Sequence, residues 1–117
     1  MSIRTSRVAA LIKQQISETL SKDIETAGYG LLTVTEVTVT PDLRLARVHV
    51  SHFHSGKTDE QVLDFLNENA REIRMAVGKS VRIKFTPELR FYIDQSLDRV
   101  ERIEELLRKI HEDEKNR

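Results

Sequence analysis

A chain of 117 residues with no cysteine is long enough for one packed domain, too short for two, and excludes disulfides, thiolate nucleophiles and cysteine-ligated zinc. Its 19 Lys and Arg balance 19 Asp and Glu. Any attraction to a polyanion must therefore come from how charge is distributed rather than from its total. No apolar stretch has the character of a signal peptide or the length to cross a bilayer, so a soluble, cytoplasmic protein is expected.

Thr5 and Ser6 are helix-capping residues, and Val8, Leu11, Ile12, Ile16, Leu20 and Ile24 recur behind them with helical spacing. A first amphipathic helix is expected, ending before the loop that holds Gly28 and Gly30. Leu31 to Thr40 and Arg44 to Phe53 read as strands joined by a turn at Pro41-Asp42. Apolar parity changes between Leu32, Val34 and Val37, Val39, which calls for a bulge near Thr35 and Glu36 or for burial on both faces.

Thr58 with Gln61 makes a capping box, and Val62, Leu63, Leu66, Ala70, Ile73 and Val77 continue as a second helical stripe, with Gly78 placed to end it. From Val81 to Ile93 the apolar residues share one parity, whereas Arg82, Lys84, Thr86, Glu88, Arg90 and Tyr92 take the other. A third strand with a basic outer face is expected, and Pro87 restricts it to a sheet edge or a bulge. Leu97, Val100, Ile103, Leu106, Leu107 and Ile110 mark a last amphipathic helix, and the tail from Glu112 is expected to fray. This order suits an α+β domain whose three-stranded sheet carries helices on its apolar face.

Little in the chain suggests catalysis. Gly56-Lys57-Thr58 occupies the place of a phosphate-binding loop, but the glycine that such a loop needs five residues earlier is Ser51. His49, His52 and His54 crowd one strand end without an adjacent carboxylate or a third fixed ligand, so neither a metal nor a cofactor is expected. The carboxylates fall at solvated-helix spacing, as in Glu101, Glu104 and Glu105 beside Arg108 and Lys109. Basic residues are concentrated from Arg71 to Arg90, with Tyr92 as a stacking surface, which points to nucleic acid.

Taken in order, several stretches resemble the ribosome-binding factor A family. They are Arg7-Val8-Ala9, Leu32 to Val37, Thr40-Pro41-Asp42-Leu43-Arg44, Ala46 to Ser51, Ile73-Arg74, Gly78-Lys79, Pro87 to Phe91, Asp94-Gln95-Ser96, Arg102-Ile103 and Leu106-Leu107. The resemblance covers nearly the whole chain. It implies a KH-like domain of the second type over residues 1–95, a C-terminal helix over 96–111 packed on or beside it, and a frayed tail over 112–117. It also implies a monomeric, non-enzymatic factor that binds the free small ribosomal subunit and its rRNA, and assists late maturation and 5′-end processing.

By matching position and by strand parity, the expected RNA contacts are Arg4, Arg7, Arg44, Arg47, Arg71, Arg74, Lys79, Arg82, Lys84 and Arg90. Two departures stand out. Asn69-Ala70-Arg71 replaces the Ala-x-Gly that family members carry, removing the glycine that would favour a sharp break in the second helix. Val100 replaces a glycine and favours an uninterrupted last helix. A rival from another class is a protein-interaction adaptor that uses that last helix to dock on a partner protein. The sequence implies no membrane association and no small-molecule substrate.

Overall fold

The computed structural model describes residues 2–22, 24, 26 and 28–94. The expected C-terminal helix and tail, the adaptor reading that depends on them, and the consequence of Val100 all lie outside the described residues. Helix α1 spans Ile3–Lys22, strand β1 Leu31–Val39, strand β2 Leu45–Phe53, helix α2 Asp59–Glu68, helix α3 Ala70–Ser80 and strand β3 Glu88–Ile93. The sheet order is β1-β2-β3, with β1 and β2 antiparallel and β2 and β3 parallel. This is the KH-like α+β arrangement expected from the sequence.

Helix α1 begins earlier than its capping residues suggested. The Ser2 hydroxyl accepts from the Thr5 backbone N–H at 3.2 Å, so Ser2 caps the helix and Thr5 is buried inside its first turn. Val8, Ala9, Ile12, Ile16 and Leu20 form the buried stripe, while Leu11 falls outside it and is exposed. The sheet's inner face supplies Val34, Val37, Val39, Ala46, Val48, Val50, Leu89 and Phe91, and Val62, Leu66, Ile73 and Val77 close the core from α2 and α3. Each Val, Leu, Ile or Phe side chain among them contributes about 1.5–3 kcal/mol when fully buried.

The register of β1 against β2 slips between Val34 and Glu36, which leaves Thr35 unpaired and resolves the parity change as a bulge. The Thr35 hydroxyl donates to Asp94 Oδ2 at 2.6 Å, with the His49 carbonyl also within 3.2 Å, so the bulge ties both outer strands across β2.

The second helical stripe is not one helix. It breaks at Asn69, whose φ of −98° and ψ of 2° leave the helical region. The Asn69 side-chain amide donates to the Phe65 carbonyl at 2.9 Å, competing with the backbone for that acceptor, and this supplies the break without a glycine. Gly78 does not end α3, which continues to Ser80. A Cβ on Gly78 would stand 2.8 Å from the Thr86 hydroxyl, so this glycine instead lets the following segment pass close to the helix.

That segment, residues 81–87, is not the expected first half of a strand. Pro87 has no N–H for a ladder, and β3 starts directly after it as an edge strand. Phe85, expected on the apolar face, is 70% exposed.

Candidate nucleic-acid interface

The helical and strand directions bring one end of every strand pair together. The Glu88 N–H donates to the Arg44 carbonyl at 2.8 Å, so the turn between β1 and β2 adjoins the start of β3. That turn is built locally. The Thr40 hydroxyl and the Arg44 N–H both donate to Asp42 Oδ1, at 2.7 and 3.1 Å, and Leu43 takes a φ of +60° to close the reversal. The hydrogen bond from Thr40, then that from the Arg44 backbone, hold the Asp42 carboxyl below its ordinary range.

Helix α1 reaches the same end. Lys13 Nζ donates to the Thr35 carbonyl at 3.3 Å, placing the middle of the helix beside the middle of β1. The Ile24 N–H donates to the Thr19 carbonyl and the Tyr29 N–H to the Thr26 carbonyl, which folds the connection from Lys22 to Leu31 back on itself and leaves it too short to return along the roughly 30 Å of the strand, so α1 runs antiparallel to β1. Arg4 and Arg7, both exposed, therefore lie toward the turn.

Arg44, Arg47 and Arg90 are exposed at or near this end, on the turn and the starts of β2 and β3, and Arg82 and Lys84 are exposed on the segment leading into β3. Arg47 and Arg90 stand opposite each other across β2 and β3. Among the described residues none of these seven cations makes a hydrogen bond or ion pair through its side chain.

Arg71 and Arg74 line an open groove of about 620 Å³ with Met75, Gly78, Phe85 and Thr86. Arg74 is already engaged: its Nε donates to the Pro87 carbonyl at 3.2 Å and an Nη to the Thr86 carbonyl at 2.8 Å. This clamp fixes the segment that carries Arg82, Lys84 and the exposed Phe85, over which Lys84 Nζ lies 5.6 Å from the ring centroid. Lys79 is separate from the groove, beside Gln15, Thr19 and Met75 between α1 and α3.

Sequence reasoning missed two features of the site. One is the Arg74 clamp, which parity could not reveal because its acceptors are backbone carbonyls. The other concerns His52, which does have a carboxylate neighbour. Its Nε2 lies 2.8 Å from Asp59 Oδ1 and its Nδ1 contacts the Ser55 hydroxyl, joining β2 to the start of α2. Among the described residues no cluster of three or more metal-ligating side chains occurs, and no helix is long and apolar enough to cross a membrane.

Comparison with known proteins agrees with this architecture. The ribosome-binding factor A profile matches residues 4–107. A ribosome-binding factor A from Chlorobium phaeobacteroides is 37% identical over 116 residues, covering 97% of this chain and 99% of the relative. The crystal structure of the Thermus thermophilus factor is similar with a TM-score of 0.68 at 26% identity, over 76% of this chain and 94% of that one. A homology model of the Thermus thermophilus factor, fitted into the cryo-electron microscopy map of its complex with the 30S subunit, gives a TM-score of 0.63 at 26% identity. It covers 74% of this chain and 91% of that one. This chain belongs to the ribosome-binding factor A family.

Proposed function

We propose that the protein binds the free small ribosomal subunit through its rRNA, and assists late maturation and 5′-end processing without catalysing a reaction. The observation that carries this reading is the gathering of unpaired cations at the turn end of the sheet. Arg4, Arg7, Arg44, Arg47 and Arg90 come from α1, the turn, β2 and β3 and lie toward that end, and Arg82 and Lys84 sit on the segment that leads into β3. Clustered cations without internal counter-charges suit phosphate contacts that release counterions, and they set position on a folded RNA rather than reading base sequence. Arg71 extends this surface along the groove, and Arg74 shapes it by holding residues 81–87. Lys79, away from the cluster, is the weakest of the expected contacts.

The complex of the Thermus thermophilus factor with the 30S subunit supports the choice of partner. The protein acts as a cytoplasmic monomer that leaves when the subunit is complete. Co-sedimentation with free small subunits and with assembled ribosomes across a salt series tests this. Binding to the free subunit should be strong and weaken steeply with salt, with little binding to assembled ribosomes. Absence of binding to the free subunit at low salt would sink the reading.

A further inference from the structure

Among the described residues the helices cover one face of the sheet and leave the other face bare, and that bare face has a defined composition. Its centre is a two-by-two array: Arg47 opposite Arg90, and in the next outward row His49 opposite Tyr92. The two rings are stacked, with centroids 5.3 Å apart and planes 22° from parallel. Because β3 is an edge strand, stacking on His49 fixes one side of the Tyr92 ring and leaves its other side toward the open edge of the sheet. Tyr92 is 38% exposed and Arg47 and Arg90 are exposed.

Like charges directly opposite on adjacent strands destabilise a sheet unless a counter-charge joins them. Among the described residues neither Arg47 nor Arg90 has one. Glu36 and Glu88 share the face but flank the array, Glu36 on the far strand and Glu88 at the start of β3. Asp94, at the end of the row, is held by Thr35. The positive charge is thus confined to the centre of the face, beside a pre-oriented aromatic ring.

We infer that this face holds a nucleotide of single-stranded RNA, its base stacked on Tyr92 and its phosphate bridging Arg47 and Arg90. The inference rests on the RNA-binding reading above and adds a second mode to it, recognition of an unpaired strand by stacking. Strands lie about 4.8 Å apart and successive outward rows about 7 Å apart, so two guanidinium groups reach one phosphate while a base meets the neighbouring ring. A duplex cannot use such a platform, because its bases are already stacked on one another.

The test is fluorescence anisotropy of the full-length chain with a labelled adenine-rich single strand of roughly ten nucleotides, and with a duplex of equal length. The single strand should bind more tightly and quench tyrosine emission. Tyr92→Leu should weaken single-strand binding roughly 5- to 100-fold, while Tyr92→Phe stays near wild type. Arg90→Gln should weaken it and lower its salt slope by about one. Equal binding of single strand and duplex, no single-strand binding, or a Tyr92→Leu variant that binds the single strand like wild type would each overturn the inference while leaving subunit docking intact. Loss of wild-type docking on the subunit would count against the broader reading instead.

Discussion

Among the described residues the arginines at the turn end of the sheet form no ion pair through their side chains, whereas at the opposite end the charged and polar side chains are occupied with one another. There, His52 contacts both Ser55 and Asp59, and Lys57 Nζ lies 5.5 Å from the Tyr29 ring centroid. Thr58 and Gln61 exchange hydrogen bonds in the capping box that opens α2. At the turn end the exposed carboxylate Asp42 accepts from the Thr40 hydroxyl and the Arg44 backbone N–H rather than from a guanidinium group. On the proposed reading internal pairing serves stability and unpaired charge serves association, so changes at the two ends should have separable effects.

The largest expected effect on folding is at the occupied end. Gly30 has a φ of +65°, and a Cβ there would run into the Phe53 carbonyl. Gly30→Ala should lower stability by about 1–3 kcal/mol in chemical denaturation and leave the salt slope of subunit binding unchanged. A changed slope with unchanged stability would break the division between the two ends.

A smaller effect, of about 1 kcal/mol, is expected for Arg74→Met, which keeps the side-chain stem but removes the two hydrogen bonds to Thr86 and Pro87. Hydrogen exchange should accelerate over residues 81–88, and subunit binding should weaken as Arg82 and Lys84 lose their fixed position. Unaltered exchange there would show that the clamp does not hold the segment.

The smallest effect is on pH dependence. A carboxyl held below its ordinary value of 3.8 adds stability above that value and loses it as the pH falls through the lowered folded value. Acid should therefore loosen the turn, and Asp42→Asn should flatten that response in amide exchange of Leu43 to Leu45. An unchanged acid response in the variant would remove Asp42 as its source.

Much of the fold could be read in the sequence, for identifiable reasons. Alternation in β2, the parity slip at Thr35 and the capping box at Thr58 are local patterns that translate directly into backbone geometry. Segment 81–87 misled because its alternation matched a strand, while Pro87 and the pull of Arg74 on two carbonyls decided otherwise. Asn69 breaks its helix through a side-chain hydrogen bond that competes with the helical pattern, which composition does not display. For the candidate contacts, parity identified exposure correctly for Arg47 and Arg90. It had no means of showing that Arg4 and Arg44 lie toward one end, since only the tertiary fold supplies that arrangement.

The most direct test of the account compares two matched double variants in small-subunit binding across a salt series. Arg44→Gln with Arg47→Gln removes two cations from the turn end, and Lys22→Gln with Lys57→Gln removes two from the opposite end. The first pair should reduce the slope of log affinity against log salt by about two and the second should leave it as in the wild type. Equal slopes for the two variants would contradict the assignment of the turn end as the RNA-docking surface.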